Sequence, residues 1–139
     1  LQSTTIKTMP HPGFPTDMQP QMTAMLTMAE GTSVITEGVW DNRFRYVDEL
    51  CRLGANIQVD GKVAVVQGVQ RLTAAPGKAT DLRAGAALMI AALISQGVTE
   101  IEDIYHIERG YEDVLEKFNQ LGASIKRIDV PYIEMPAAL

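Results

Sequence analysis

The sequence repeats itself. Thr16-Asp17-Met18-Gln19 returns as Thr80-Asp81-Leu82-Arg83, and two further landmarks keep step, Arg43 with Arg109 and Gly54 with Gly122. The spacings are 64, 66 and 68 residues, a drift that loops and helix ends absorb. A repeat of this kind implies structural units that cover one another's apolar faces rather than one irregular core. Each copy reads alike. A Thr-Asp pair opens an apolar helix that stops at Gly31 or Gly97. A short strand follows, then an Arg-bearing loop, a second helix closed by Leu-Gly-Ala, and a further strand. The order is βαβαββ, with the last strand of the second copy unclear.

Local signals place the elements. Thr16-x-x-Gln19 has the form of a capping box after the loop His11-Pro12-Gly13-Phe14-Pro15, which no helix spans. The spacing predicts a helix over Met18–Glu30, stopped by Gly31. Its counterpart, Leu82–Ser95, is apolar on every face and is expected to be buried all round, as for a helix packed inside a ring of sheets. Val34–Thr36 and Val98–Ile101 read as strands; Val47–Leu53 and Tyr111–Leu121 read as amphipathic helices ended by Gly54 and Gly122. Asn56–Val59 and Val63–Gln67 flank Asp60-Gly61, a hairpin signal. Ser124–Ile128 is the matching strand of the second copy. The expected organisation is a partial domain over 1–129, with units at about 9–70 and 71–129, and an irregular tail over 130–139.

Composition narrows the function classes. Of 139 residues 46% are apolar and 21% charged, a globular balance. Twelve basic against seventeen acidic residues leave −5, which argues against a general nucleic-acid binder. The longest apolar run, Ala84–Ile94, is too short to cross a bilayer, and no leader pattern is visible, so no membrane partner is expected. The single cysteine, Cys51, fits a reducing cytoplasm, and two histidines without a CxxC pair make a metal site or metal cofactor unexpected. Leu1 in place of Met suggests a piece of a longer chain.

Several residues carry possible chemistry. Asp17 and Asp81 each read either as helix caps or as carboxylates at a loop–helix junction, able to take a proton from a substrate hydroxyl. Arg83 opens a wholly apolar stretch, so its guanidinium needs an anion or several acceptors. Arg43, Arg83 and Arg109, at repeated junctions, form either a bidentate clamp for carboxylate or phosphate or structural ion pairs with Asp17, Asp41, Asp81 or Glu108. Trp40 and Phe44 flank Arg43 as ligand-facing or packing aromatics. Cys51 lies inside a helix, where a packed or unreactive thiol is expected. His11 and His106 have no evident triad partner, and no GxxxxGK[ST] or GxGxxG loop exists.

The string His11-Pro12-Gly13-Phe14-Pro15-Thr16-Asp17-Met18-Gln19 resembles the signature of the UDP-N-acetylglucosamine 1-carboxyvinyltransferase family. Glu30-Gly31-Thr32, Asp41-Asn42-Arg43-Phe44, Ala79-Thr80-Asp81-Leu82-Arg83-Ala84 and Tyr105-His106-Ile107-Glu108-Arg109-Gly110-Tyr111-Glu112 match it in order and spacing. The match runs from about Thr4 to Ile128. The shikimate-pathway enolpyruvyl transferase shares the fold without the Pro-Gly-Phe-Pro-Thr-Asp-Met-Gln string and is the alternative reading. A non-catalytic repeat module that associates through an open edge is the other.

The resemblance implies an α/β fold, an inside-out α/β barrel domain built of three βαβαββ units with helices inside, of which about two are present here. It implies a transferase that moves the enolpyruvyl group of phosphoenolpyruvate to the 3-hydroxyl of UDP-N-acetylglucosamine by addition–elimination. That is the first committed step of peptidoglycan synthesis, with its links to cell wall biogenesis, cell shape, cell cycle and cell division. Asp17 matches the residue that contacts the hydroxyl and acts as base, and Val39 one that meets the UDP-sugar through its backbone. Arg43 and Arg83 match arginines on the phosphoenolpyruvate carboxylate, Arg109 one near its phosphate, and Asp81 an acid in the same pocket. The family's catalytic cysteine, its Lys-Asn pair and a further arginine have no counterpart here. The chain is therefore expected to be a C-terminal portion, inactive alone and prone to self-association through the uncovered repeat edge.

Overall fold

The computed structural model describes residues 1–131, so most of the expected 130–139 tail lies outside the described residues. Strand β1 (Thr5–Lys7) leads through the proline-rich loop to a 3-10 turn (Thr16–Met18) and helix α1 (Gln19–Leu26), and β2 (Thr32–Thr36) returns parallel to β1. Helix α2 (Val47–Arg52) precedes the hairpin of β3 (Asn56–Asp60) and β4 (Val63–Gln67), whose turn residue Gly61 has φ +57. These strands form one sheet in the order β1-β2-β4-β3, antiparallel except at β1/β2. Alternation along β2 and β4 sends Ser33, Ile35, Ala64 and Val66 inward.

The second half repeats the strand–helix–strand order. Two short strands, β5 (Leu72–Thr73) and β6 (Gly77–Lys78), precede helix α3 (Leu82–Ile94) and pair in parallel with β7 (Ser95–Gln96) and β8 (Ile101–Glu102). Helices α4 (Tyr105–Glu108) and α5 (Val114–Gln120) follow. Helix α1 lies along α3, and Ala24, Leu26, Ala84, Ala87, Leu88 and Ala91 pack into one core with Ile35, Leu50, Leu53 and Val66. Small residues on the facing sides let the two helices approach closely. Helices packed on the inner face of the sheet are the layout of part of an inside-out α/β barrel domain.

The structure departs from the sequence reading at element ends, each time for a local reason. Helix α1 stops at Leu26 instead of running to Glu30, because the Thr27 hydroxyl bonds back to the Ala24 carbonyl at 2.7 Å and the chain then turns toward Gly31 at φ +96. Helix α3 is not buried all round: Leu93 and Ile94 are exposed at its C-terminal end. Only Ile101 of the strand expected at Val98–Ile101 is paired, while Val98 stands 87% exposed after the left-handed Gly97. The helix expected from Tyr111 starts at Val114, because Asp113 is left-handed (φ 49). Ser124–Ile128 is not a strand. Among the described residues it has no β4-like partner, and the Asn119 amide satisfies the Ile125 N–H and C=O, both at 2.8 Å.

Candidate active site

The proline-rich loop closes on itself, with the Met9 N–H on the Phe14 carbonyl (3.0 Å) and the Gly13 N–H on that of Pro10 (2.9 Å). A Cβ at Gly13 would fall 2.4 Å from the Met9 Cβ, so the loop needs glycine there. Pro15 then starts the 3-10 turn, which carries Asp17 outward at the head of α1. The expected capping box does not form: neither the turn nor α1 has a side-chain cap, because Thr16 and Gln19 bond elsewhere. Asp81 does cap its helix, its Oδ1 accepting the Arg83 and Ala84 N–H groups at 2.9 Å. The two equivalent aspartates thus have different roles, Asp81 turned to the backbone and Asp17 turned to side chains.

Asp17 is shared by two arginines from distant parts of the sequence. Its Oδ1 lies 3.0 Å from Arg43 Nη2 and its Oδ2 lies 3.3 Å from Arg83 Nη2. The carboxylate is 55% exposed, against 21% and 32% for the two guanidinium side chains. Arg43 is reached through Asn42, one of the few non-glycine residues at positive φ (60), a conformation asparagine tolerates. Arg83 is held from behind: its Nη1 donates to the Tyr111 hydroxyl at 2.9 Å, and its guanidinium carbon sits 5.7 Å from that ring's centroid. The Gln21 amide lies 3.1 Å from the same hydroxyl.

The remaining predicted residues do not join this cluster. Arg109 is exposed at the end of α4 and has no ion pair among the described residues. Its neighbour Gly110 packs on Leu82, where a Cβ would come within 2.5 Å of a methyl group, so the loop lies against the start of α3. Val39 is 40% exposed, and its N–H donates to Glu37. Trp40 is exposed, while Phe44 packs into the core. Cys51 is exposed on α2 rather than packed. Among the described residues, no His, Cys, Asp or Glu side chains cluster as metal ligands.

Sequence reasoning missed Glu37, the buried acid beneath the cluster, 1% exposed. Its Oε2 accepts the Thr8 hydroxyl (2.6 Å) and the Val39 and Trp40 N–H groups (3.0 and 3.1 Å). Its Oε1 accepts the Thr16 hydroxyl (2.9 Å) and faces the Gln19 amide at 3.4 Å. Burial alone would push this carboxyl up, but the bonds from Thr8, Trp40, Val39 and Thr16 outweigh it and hold it below the usual carboxylate value. Gln19 in turn accepts from the Tyr46 hydroxyl, whose pKa burial drives well above the usual phenol value. The signal was present: Glu37 continues the inward parity of Ser33 and Ile35 on β2, so alternation puts a carboxylate in the interior.

An outward carboxylate bridges two guanidinium groups on helices packed inside a sheet, in part of an inside-out α/β barrel domain of the enolpyruvyl-transferase type. The chain belongs to the EPSP synthase family: the family model described as EPSP synthase (3-phosphoshikimate 1-carboxyvinyltransferase) matches residues 1–118. Similar curated proteins are both called UDP-N-acetylglucosamine 1-carboxyvinyltransferase 1. One, from Caldanaerobacter subterraneus subsp. tengcongensis, is 62% identical over 122 residues, and the other, from Clostridium perfringens, 59% over 123. Each match covers 88% of this chain but 29% of the relative's length. The crystal structure of the enolpyruvyl transferase NikO from Streptomyces tendae superposes with a TM-score of 0.81 at 36% identity, covering 91% of this chain and 29% of that one. An EPSP synthase from Acinetobacter baumannii, 22% identical with a TM-score of 0.54 over 69% of this chain and 26% of its own, shares the fold.

Proposed function

We propose that the chain is the part of a UDP-N-acetylglucosamine 1-carboxyvinyltransferase that holds the sugar-hydroxyl base and the anion-binding arginines. The observation that carries this reading is Asp17 held between Arg43 and Arg83 with its carboxylate open to solvent. Relatives 53–62% identical over about nine-tenths of the chain bear that name, which supports it over the shikimate-type alternative. Phosphoenolpyruvate is small and highly anionic, so a chain of net charge −5 must concentrate cations locally to bind it.

In the proposed reaction Asp17 accepts the proton of the sugar 3-hydroxyl as its oxygen bonds to C2 of phosphoenolpyruvate and C3 gains a proton from an acid outside this chain. The tetrahedral adduct then loses a proton from C3 to a base and expels phosphate, restoring the double bond. Arg43 and Arg83 present planar donor pairs to the carboxylate, Arg109 serves the phosphate, Asp81 lines the same pocket, and the Val39 backbone meets the UDP-sugar. The chain spans about 29–31% of the length of the first relatives it matches, so the remaining groups come from outside it. This reading treats 1–129 as part of one domain with units at about 9–70 and 71–129, working in the cytoplasm in peptidoglycan synthesis and without a cofactor. The exposed Leu93, Ile94 and Val98 support self-association of the isolated segment, which sedimentation tests: a monomer at all concentrations rules it out.

The deciding experiment uses the full-length enzyme carrying this segment. Phosphate release from phosphoenolpyruvate is expected with UDP-N-acetylglucosamine and not with shikimate 3-phosphate, and is expected to vanish in Asp17→Asn with the fold intact. Turnover with shikimate 3-phosphate alone would replace the reading with its alternative.

A further inference from the structure

The buried carboxylate of Glu37 ties three separate segments together: Thr8 at the end of β1, Thr16 in the turn before α1, and the Val39-Trp40 loop after β2. Thr8, itself fully buried, also accepts the Gly38 N–H at 2.7 Å, and a Cβ on Gly38 would lie 2.4 Å from the Thr8 carbonyl oxygen. The Glu37 backbone is pinned as well, its N–H on the Lys62 carbonyl at 2.8 Å. Two of the three tied segments adjoin proposed site groups. Thr16 immediately precedes Asp17, and the Val39-Trp40 loop holds the backbone expected at the sugar and leads to Arg43. An interior carboxylate is a poor device for stability, since well-packed apolar residues serve as well. What it offers is acceptance of several donors from different segments at once.

We propose that Glu37 is the positioning residue of this site, setting Asp17 through Thr16 while it fixes the Val39-Trp40 loop. The proposal rests on the transferase reading for its kinetic consequence, though not for its geometry. Glu37→Gln separates the two halves of the function. Its carbonyl still accepts from Thr8, Val39 and Trp40, but its NH2 now meets the Gln19 NH2 donor against donor and reverses the bond to the Thr16 hydroxyl, so the hold on Asp17 is disturbed while the loop keeps its anchor.

In the full-length enzyme, Glu37→Gln is expected to lower kcat by about ten- to a hundredfold, the scale of a small misplacement of a reacting group, with KM for UDP-N-acetylglucosamine changed less than about threefold. Thr16→Val is expected to lose as much and Thr16→Ser to recover. The double variant Glu37→Gln/Thr16→Val is expected to be no worse than the poorer single one. A crystal structure of Glu37→Gln is expected to show Asp17 displaced from Arg43 or Arg83. A folded Glu37→Gln enzyme with unchanged kcat overturns the proposal, as do losses that multiply in the double variant. If Glu37→Gln fails to fold, Thr16→Val decides alone: unchanged kcat refutes the link and a Ser-rescued loss supports it. If the unmodified enzyme turns over neither acceptor, the transferase reading falls, and Glu37 is judged by the variant's structure, where an unmoved Asp17 refutes its positioning role.

Discussion

Removing the Arg83 guanidinium separates a substrate clamp from a structural ion pair, because the two roles differ in magnitude. Structurally, Arg83 has an ion pair to a half-exposed carboxylate at 3.3 Å, a hydrogen bond to Tyr111 at 2.9 Å and a stacking contact at 5.7 Å. An exposed pair is worth about 0–1 kcal/mol after solvent screening, a cation–π contact at a partly exposed site about 0.5–1, and the hydrogen bond about 1. Arg83→Ala is therefore expected to destabilise the fold by about 2 kcal/mol, read from urea unfolding of the chain. Loss of a charged bidentate donor on a bound carboxylate costs about 3–4 kcal/mol, or a fall of about 10²–10³-fold in kcat/KM for phosphoenolpyruvate in the full-length enzyme. Arg83→Lys is expected to recover the fold more than the rate, because lysine restores the charge without the planar fork. A soluble Arg83→Ala enzyme with unchanged use of phosphoenolpyruvate would refute the clamp. A loss of stability above about 4 kcal/mol would show instead that Arg83 serves the fold.

Other perturbations test the framework. A Cβ at Gly68 would lie 1.6 Å from the Ala29 carbonyl oxygen, so Gly68→Ala must displace backbone and is expected to cost about 3 kcal/mol or more; a loss under 1 kcal/mol in urea unfolding would deny the close approach. Tyr46→Phe removes the donor to buried Gln19, with an expected loss of about 1–3 kcal/mol. Because folding raises the Tyr46 pKa, its contribution is complete below about pH 10 and is lost as pH climbs toward the folded value, so the phenylalanine variant should show a shallower alkaline decline. The Glu37 carboxyl shifts the other way. Its contribution is present above about pH 4.3 and is lost as pH falls through its lower folded value, so Glu37→Gln should flatten the acid limb of stability measured between pH 6 and pH 3.

Features set by neighbouring residues were legible in the sequence. Asp60-Gly61 announced the hairpin, the glycines after Leu53 and Leu121 marked helix stops with φ +97 and +101, and Asp81 began α3 as a side-chain cap. What eluded it was decided by partners far along the chain. Thr16 and Gln19 have a capping-box pattern, yet a carboxylate some twenty residues away claims both side chains and leaves Asp17 to the arginines. Tyr111 steadies an arginine 28 positions earlier. The short strands β5 to β8 pair in parallel across the length of α3, and no local alternation encodes such pairing. Arg43 and Arg109 were readable from the repeat and Arg83 from the apolar stretch it opens, while the meeting of Arg43 and Arg83 on one carboxylate needed the fold.

That meeting point turns the site into a gauge of helix packing. Asp17 stands at the head of α1 and Arg83 at the head of α3, and the two helices lie side by side. A slip of one helix along the other by a single residue is a movement of about 1.5 Å, enough to carry a 3.3 Å ion pair out of contact. The pair therefore forms only while the interface between the helices holds its register. Partial opening of either half dissolves it, so the proposed anion site should disappear at the same denaturant concentration as the innermost amide protection, with no loosened intermediate that still binds.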